Sequence, residues 1–511
     1  MPTITSESGE ANATGQRRSP AQEPFRVLYA SDLHGSTACY NLLLQTLGEQ
    51  VLLSTIRDAI RPLLEKLSAL EEQISHSDDL PRPLRDRLID FVKSKSRELS
   101  TFLDSLAPRP ADAIVIGGDL CPERIAFFVE KDGKWVATVE GEEYHYVDLT
   151  SPSSTSCRSQ YHLESIGYAV ARVDQEVLDN DNLKRSQLRS SATRQLSTWL
   201  LDLEDVLSST LLGAQIPYLL INTGSTDPPE VDDLLSALET KYGRVKFLGN
   251  TSNEILGLTE DLLLVSCSYR EVPLTSRNGL LPSTTTNAHW ERKSAFETRL
   301  ERLKVNAGHA LAGKLRLAHT DPLLHRHCIL NMHVPPYGKG LDEFQSGPEQ
   351  FIVKDNTGSI SLADFLRTWH PFVSLHGYSH YDHGAEHTLT AELGDTQCIT
   401  PGSRYTKGHL SYACVDILRA DGGHFSVHLN RSLSTCDFPS PTTPEEAPTA
   451  EHLFELSFLL LLLWAVSDAF FAHSQHLLEF VRLAIAVWGA RFLITIQRSW
   501  TSISGRSRRH A

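Results

Sequence analysis

Several side chains that can bind a divalent metal ion lie just after short apolar runs of this chain. Asp32 and His34 are two residues apart at the end of one run, where a turn can direct both at one ion. Asp119 follows a Gly-Gly pair, which lets the backbone approach closely, and His333 and His380 come later. Hydrolysis at a metal pair needs carboxylates and imidazoles from separate loops, with one bridging carboxylate and an open position for water. The residue types therefore predict metal-dependent hydrolysis.

Each of these motifs is commonplace on its own. A lone histidine such as His333 is more often a hydrogen-bonded core residue than a ligand, and Asp-x-His triplets occur in many proteins. The order of the motifs along the chain is more specific. It is D-x-H-G (32–35), G-G-D (117–119), G-S-T-D-P-P (224–229), H-V-P-P-Y-G (333–338), H-G-Y-S-H (376–380) and P-G-S (401–403).

Short strands are predicted directly before most of these motifs. The apolar runs are Phe25–Ser31, Ala113–Ile116, Tyr218–Asn222, Asp261–Cys267, Cys328–Met332, Phe372–Leu375 and Leu410–Leu418. Helical spacing appears twice between about 50 and 107 and again from about 184 to 212. Trp135–Val139 follows the turn pair Asp132 and Gly133, which predicts a β-hairpin. The pattern is that of an α/β protein, in which ligands gather at the carboxyl ends of strands.

The composition sets the class of protein. With 511 residues and 41% hydrophobic side chains, the chain can bury a sizeable core. A net charge of −15 argues against a broad basic surface that binds DNA or RNA. A local basic cleft is compatible with this charge. The eight cysteines form no Cys-x-x-Cys pair, and residues 1–24 lack the apolar run of a signal peptide. We therefore expect a cytoplasmic main domain with reduced thiols.

The ordered motifs resemble the metallophosphoesterase (calcineurin-like phosphoesterase) superfamily, especially its small branch with G-N-D-D as third motif and H-x-P-P as fourth. The resemblance covers about residues 25–430 and is interrupted by the pair of helices predicted between about 50 and 107. It implies a four-layer α/β/β/α sandwich with a two-metal centre at the strand ends. It also implies one or two divalent ions, such as Mn, Fe or Zn. The reaction implied is in-line attack by metal-activated water on a phosphomonoester or phosphodiester.

One metal position is complete in this resemblance. Asp32, His34, Asp119 and His380 match the ligands of the first metal, with Asp119 as the bridge. Arg404, directly after the P-G-S motif, is a candidate contact for a substrate phosphate, because a guanidinium suits bidentate contact; the alternative is an ordinary surface arginine.

The second metal position is altered. Asp119 and His333 match two of its ligands, but Ser225 stands where the family has asparagine. Tyr378 stands where the family has the first histidine of G-H-x-H. A serine hydroxyl is a weak neutral donor, and a tyrosine hydroxyl must lose its proton before it binds a metal well.

Two neighbours of the altered positions are candidates to compensate for them. Asp227 lies two residues past Ser225, and His376 lies two residues before Tyr378. Thr226, at the place of a proton donor in many relatives, cannot act as a general acid near neutral pH. Two functions are therefore expected to compete: a slow or re-tuned phosphoesterase, and a catalytically impaired relative that serves as a binding or scaffold module.

The carboxyl-terminal part predicts a separate segment. A Pro-, Thr- and Glu-rich linker covers 433–451, a hydrophobic helical segment 452–500, and a basic tail 501–511. The apolar run predicts a membrane anchor, either one transmembrane helix or a hairpin, with its arginine-rich end on the cytoplasmic face. The alternative is a helical pair packed on the catalytic domain or on another subunit.

The rest of the chain divides into two further parts. Residues 1–24 are polar and are predicted to be disordered, and residues 25–432 form the metallophosphoesterase domain. The helical insertion at 50–107 either caps the active site or forms a docking surface for a protein partner or a second copy, and we favour docking.

Overall fold

A computed structural model describes most of the chain between residues 24 and 430. The described residues are 24–77, 81–105, 111–146, 159–208, 218–224, 226–268, 270–271, 290–315, 322–338, 340–346, 353–356, 358–378, 389–419 and 425–430. Ser225, His380, the 433–451 linker, the 452–500 segment and the basic tail lie outside these residues.

The strands are short and are spread along the whole described part of the chain. They are β1 (Phe25–Ala30), β2 (Ala113–Ile116), β3 (Arg124–Lys131), β4 (Lys134–Val139), β5 (Glu142–His145), β6 (Tyr168–Arg172), β7 (Tyr218–Ile221), β8 (Val245–Phe247), β9 (Ile255–Gly257), β10 (Leu263–Cys267), β11 (Arg270–Glu271), β12 (Trp290–Glu291), β13 (Cys328–Met332), β14 (Glu343–Ser346), β15 (Val353–Asn356), β16 (Val373–Leu375), β17 (Leu389–Leu393), β18 (Thr396–Thr400), β19 (Tyr412–Arg419) and β20 (Phe425–Asn430).

The helices lie between these strands. They are α1 (Thr37–Ser75), α2 (Arg82–Ser105), α3 (Gln160–Ser165), α4 (Gln175–Leu178), α5 (Asp181–Ser208), α6 (Glu230–Lys241), α7 (Lys293–Leu315) and α8 (Ile360–Trp369), with short 3₁₀ turns at Thr251–Asn253, Pro322–His327 and Tyr405–Lys407.

Two six-stranded sheets carry the strands that precede the predicted motifs. The first has the order β20-β19-β1-β2-β7-β8, and its neighbouring strands β1, β2, β7 and β8 are parallel. The second has the order β17-β18-β16-β13-β10-β9, and β10, β13, β16 and β18 are parallel. Parallel strands end at one edge of a sheet, so the loops that follow them gather there. The predicted mixed α/β class is confirmed.

The buried side chains alternate between two environments along β1. Val27 and Tyr29 belong to a core cluster that contains residues of both six-stranded sheets. Leu28 and Ala30 belong to a second cluster, shared with α1, α5 and α6. Successive side chains of a strand point to opposite faces, so β1 is buried on both sides. A third cluster joins the second sheet to α7 and α8, with Trp369 at its centre fully buried.

Strand β19 lies beside β1 although it is distant in sequence. The two strands are antiparallel, with Phe25 opposite Ile417 and Ala30 opposite Tyr412. The pairing is reinforced by Arg26, whose Nε and Nη2 donate to the two carboxylate oxygens of Asp416 at 2.6 and 2.7 Å. This buried bidentate pair fixes the register of the two strands.

The first long helix begins earlier than the sequence predicted. It starts at Thr37, directly after the D-x-H-G loop, with Ser36 as a cap whose Oγ accepts from the Cys39 N–H at 3.2 Å. Its first turns bury Leu43 and Leu47 in the core, and its later part pairs with α2. Helix α1 is therefore both a core helix and one arm of the helical pair.

A small four-stranded sheet, in the order β5-β4-β3-β6, lies between β2 and β7 in sequence. The turn between β3 and β4 uses Asp132 and Gly133 at φ 53° and 76°. Positive φ at both central residues is the geometry of a tight hairpin turn. The predicted hairpin is confirmed.

The prediction of a transmembrane helix is wrong for the part of the chain that the structure describes. None of the helices in the described ranges is both long enough and apolar enough to cross a membrane. The longest helix within the described ranges, α1, carries charged side chains such as Arg61, Glu65 and Lys66, which are costly in hydrocarbon. The 452–500 segment on which the prediction rested lies outside the described residues.

Candidate metal centre

The loop after β1 holds Asp32 and His34 in an uncommon backbone conformation. Their φ angles are 57° and 45°, in the left-handed region that residues other than glycine rarely adopt. Three backbone hydrogen bonds tie this loop to the loop after β2: the N–H groups of Asp32, His34 and Gly35 donate to the carbonyls of Gly118, Asp119 and Leu120 at 3.0, 2.8 and 2.6 Å. Strain of this kind persists only where the surroundings enforce it, and it is concentrated at functional sites.

Asp119 is held in the same way by the loop after β7. Its own φ is 52°, and its Oδ1 accepts a hydrogen bond from the Thr226 N–H at 2.8 Å. Gly224 packs directly on it, since a Cβ at that position would lie 2.2 Å from Asp119 Oδ1. Backbone groups therefore set the direction of this carboxylate.

Four of the predicted residues lie close together. Asp32, His34 and Asp119 are buried, their ligand atoms lie within 4.8 Å of one another, and together they could hold a metal ion. His34 Nε2 lies 3.8 Å from Asp119 Oδ2. His333 approaches the same oxygen, with its Nε2 at 3.0 Å, and lies 3.8 Å from Asp32 Oδ1. Asp119 Oδ2 thus faces the imidazoles of both His34 and His333.

The donor set fits a hard or borderline divalent cation. The residues that carry these donors, Asp32, Asp119, His34 and His333, are at most 2% exposed. Water therefore cannot solvate the charges of the two carboxylates. Within the described residues, Asp32 Oδ2 is buried and has no hydrogen-bond partner. A buried carboxylate oxygen without a partner is costly, and a cation would satisfy it.

The orientation of His333 is set by a backbone carbonyl. Its Nδ1 lies 3.1 Å from the carbonyl oxygen of Gly117, which requires the proton on Nδ1. The lone pair of a neutral ring is then on Nε2, the atom that faces Asp119. This is the usual arrangement of a metal-binding histidine, in which the second nitrogen donates to a carbonyl.

His376 has a different role from the one considered for it. Its Nδ1 lies 3.2 and 3.0 Å from the carbonyls of Met332 and Val334, on either side of His333. Burial is the main cause that lowers the pKa of His376 to about 4, so the ring is neutral at physiological pH. It fastens the loop after β13 to β16 and is not part of the three-residue group.

Asp227, the other candidate to compensate for an altered position, is also outside the three-residue group. Its two oxygens accept hydrogen bonds from the Cys121 and Gly224 N–H groups, each at 2.7 Å. Burial, and then the charge of Asp119, raise the pKa of Asp227 to about 6, while these backbone donors oppose the shift. Its carboxylate joins the loops after β2 and β7.

Tyr378 contacts the centre through its backbone and through the edge of its ring. Its φ is 62°, and its N–H donates to Asp32 Oδ1 at 2.8 Å. Its ring lies perpendicular to that of His333, with 5.9 Å between the centroids. Gly377 permits this approach, because a Cβ there would lie 2.0 Å from Ser31 Oγ and 2.7 Å from His333 Nδ1.

The P-G-S loop after β18 completes the surroundings. Ser403 Oγ donates to the carbonyl of Asp32 at 2.8 Å. The ring of Tyr405 lies against that of His34 with centroids 4.3 Å apart, and its hydroxyl donates to Glu123 Oε1 at 2.7 Å. Burial raises the pKa of Tyr405. Arg404 is half-buried between these two residues, and its backbone pairs with His409.

The sequence pointed to the residues of this group but missed the backbone groups that orient them. The donors to Asp32 and Asp119 are the N–H groups of Tyr378 and Thr226. Every residue except proline has such a group, so no residue type reveals it. The left-handed φ angles likewise fall on residues with no glycine signal. The predicted ligands Ser225 and His380 lie outside the described residues.

Comparison with known proteins identifies no family for this chain. No family model and no curated protein matches it. A crystal structure aligns with 80% of this chain and 99% of its own chain, at 12% sequence identity and a TM-score of 0.33. A similarity of that size does not define a shared fold.

Proposed function

We propose that this chain is a metal-dependent phosphoric ester hydrolase of the metallophosphoesterase type, acting on phosphomonoesters or phosphodiesters. The observation that carries the proposal is the convergence of Asp32, His34 and Asp119 within 4.8 Å, with His333 beside them. These residues follow β1, β2 and β13, as the order of the motifs requires.

The core clusters support the four-layer α/β/β/α arrangement that such enzymes have. Helices α1, α5 and α6 share one cluster with the first sheet, and α7 and α8 share another with the second. The remaining cluster contains residues of both sheets. The centre would then lie where the carboxyl ends of parallel strands from the two sheets meet.

The residues of the centre have separable roles in the proposed reaction. Asp32 and His34 would hold one cation, and Asp119 would share its carboxylate between that cation and the His333 side. A bound divalent cation would supply Lewis-acid activation of water and charge neutralisation on the phosphoryl oxygens. The N–H groups of Tyr378 and Thr226 keep both carboxylates directed inward.

Thr226 does not supply the proton for the leaving group in this proposal. Its hydroxyl donates to the Cys121 carbonyl at 3.2 Å, and an alcohol does not ionise near neutral pH. Water or the substrate itself would then have to protonate the leaving group. A slow reaction with poor leaving groups is the expected consequence.

A second candidate, a catalytically impaired module that binds a ligand without turnover, is favoured by Tyr378. Its ring lies edge-on to that of His333, and its hydroxyl would have to lose a proton before it could bind a second cation well. Asp227 is not one of the three grouped residues, and its two oxygens each accept a hydrogen bond from a backbone N–H group. One metal without turnover would be the signature of this module.

The experiment that decides between them is metal content by mass spectrometry on the full chain, with turnover of p-nitrophenyl phosphate and bis-p-nitrophenyl phosphate in added manganese. Asp119→Asn should lose both metal and turnover. The matched control is Asp364→Asn on the exposed face of α8, which should lose neither. Metal stoichiometry in Asp119→Asn equal to wild type would refute the assigned centre.

A further inference from the structure

Arg404 lies in the loop after β18, between two residues that contact the metal centre. On one side, Ser403 Oγ donates to the Asp32 carbonyl at 2.8 Å. On the other side, the ring of Tyr405 packs against that of His34, with 4.3 Å between the centroids. Neighbouring Cα atoms are about 3.8 Å apart. The Arg404 backbone is therefore one residue away from a contact to each of the two predicted ligands of the first cation.

The backbone of this loop is closed into a turn, which fixes the point from which the Arg404 side chain extends. The His409 N–H donates to the Arg404 carbonyl at 3.2 Å, and the Gly408 N–H donates to the Tyr405 carbonyl at 2.8 Å. Cys39 Sγ, on α1, donates to the His409 carbonyl at 3.3 Å. The turn is thus tied to the helix that follows the D-x-H-G loop, and moving Arg404 away from the centre would break these contacts.

The side chain of Arg404 is half-buried, and its guanidinium makes no hydrogen bond or ion pair within the described ranges. Arg124, the other guanidinium near Tyr405, is different, because it lies 3.8 Å from the carboxylate of Glu123 and 3.8 Å from that of Glu140. An arginine keeps its charge at neutral pH, and a partly buried charge without a partner favours an anion beside it. Of these two groups, Arg404 is the one whose charge is not already balanced.

The charges of the centre call for a further cation when a phosphate ester binds. The carboxylates of Asp32 and Asp119 carry two negative charges, which one divalent ion would neutralise. A phosphomonoester adds a charge of about −1.5 to −2 at neutral pH. The second cation position, which would offset that charge, has Tyr378 in place of the family's histidine. The guanidinium of Arg404 would supply part of the missing positive charge.

Phosphomonoesters and phosphodiesters differ in what they offer to this guanidinium. A monoester has three terminal oxygens, so one can face a cation while two accept from the fork of an arginine. A diester has one terminal oxygen fewer and a single charge, so the cation and the bidentate arginine would compete for its oxygens. Charge-assisted bidentate pairs are among the strong hydrogen bonds of proteins. An arginine at this place therefore favours monoesters.

We infer that Arg404 binds the terminal oxygens of the substrate's phosphoryl group, so that the chain acts on phosphomonoesters in preference to phosphodiesters. The substrate class rests on the proposed function, whereas the binding of a phosphate ion by Arg404 does not require turnover. Arg404 is then a specificity-determining residue, and it offsets part of the charge that a second cation would have offset.

The test compares the full-length wild type with Arg404→Gln, Arg404→Lys and the control Arg97→Gln, which removes the same charge from an exposed position on α2. Binding of inorganic phosphate and of dimethyl phosphate in excess manganese is measured by calorimetry. We expect Arg404→Gln to lose about 10- to 100-fold in affinity for phosphate and less than about threefold for dimethyl phosphate. Arg404→Lys should recover part of the loss, because lysine keeps the charge without the planar fork. Arg97→Gln should bind both ions as wild type does.

Metal content by mass spectrometry separates binding by Arg404 from a structural role. Arg404→Gln should keep the wild-type metal stoichiometry, and loss of metal from this variant would overturn the assignment. Wild-type phosphate affinity in Arg404→Gln, or no phosphate binding by wild type, would also overturn it. Equal losses for phosphate and dimethyl phosphate would overturn the preference for monoesters.

Turnover is measured separately, as kcat/KM for p-nitrophenyl phosphate and for bis-p-nitrophenyl phosphate in manganese. Arg404→Gln should lower the first by about tenfold or more and the second by less than about threefold. If wild type hydrolyses neither ester, the proposed function fails, while the binding of inorganic phosphate still decides the role of Arg404.

Discussion

Gly224 gives the sharpest test of how the centre is assembled. A methyl group at this position would lie 2.1 Å from the Asp119 backbone nitrogen and 2.2 Å from Asp119 Oδ1. Ordinary contacts of carbon with nitrogen or oxygen are longer by about 1 Å, so Gly224→Ala must displace either its own loop or Asp119. Two of the three nearest atoms, the nitrogen and Cα of Asp119, belong to the backbone, so movement of the Asp119 side chain alone cannot relieve the clash.

The expected effects follow from that displacement. Forcing a methyl group into a packed site costs about 1–3 kcal/mol, which should appear in the free energy of unfolding measured by chemical denaturation. Moving a ligand by about 1 Å should weaken metal binding in calorimetric titration by up to about 100-fold.

Gly243→Ala is the matched control. A Cβ at that position meets nothing within 4 Å, so the same substitution should leave stability and metal binding unchanged. Wild-type metal affinity in Gly224→Ala would mean that the loop after β7 does not pack on Asp119, and the described centre would be wrong.

Four further predictions follow. In metal-free protein, Asp227 has a folded-state pKa of about 6 against an ordinary 3.8, so the stability it contributes is full below 3.8 and is lost as pH rises to 6. Asp227→Asn should remove this pH dependence, worth about 3 kcal/mol, from denaturation curves measured across that window. His376 should stay neutral down to pH about 4 in an NMR titration, because its burial disfavours the charged ring; a midpoint near 6.5 would contradict its described environment. Tyr405→Phe should lower the free energy of unfolding by about 1 kcal/mol and leave metal binding unchanged, because only the hydrogen bond to Glu123 is lost. Tyr405→Ala should also weaken metal binding, because the ring that packs against His34 is removed. Tyr378→His should raise the metal stoichiometry measured by mass spectrometry, because it restores an imidazole at the altered position and histidine tolerates the left-handed φ of 62°; unchanged stoichiometry would contradict a second site there.

The sequence predicted the parts of the fold that leave a local signal. Ala113–Ile116 and Cys328–Met332 were predicted as strands with the bounds that the structure has, because they are short apolar runs ended by polar residues. The start of α1 was missed, because Ser36 was not recognised as a helix cap ahead of Leu43 and Leu47. In the structure, Ser36 Oγ accepts from the Cys39 N–H. Helices α6, α7 and α8 were also missed, although their buried residues have helical spacing, as Val231, Leu235 and Leu238 of α6 show.

The metal centre also has some features that the sequence predicted and others that it did not. Asp32, His34, Asp119 and His333 were predicted from residue type and order, and the structure brings them together. The role of Asp227 could not be predicted, because a buried carboxylate near a ligand pattern resembles a ligand until its N–H donors are known. The three-dimensional packing gives Asp227 its role, which is to join two loops through hydrogen bonds.

The pairing of β1 with β19 has a consequence for how the protein is made. β1 emerges early from the ribosome, but the strand that covers one of its edges ends at Arg419. Until then, β1 is an open edge strand that can pair with another chain, and Arg26 lacks Asp416. Truncation between His333 and Tyr412 would leave that edge exposed in the finished product. Such fragments should aggregate even though they contain Asp32, His34, Asp119 and His333, so the centre cannot be isolated as an amino-terminal piece.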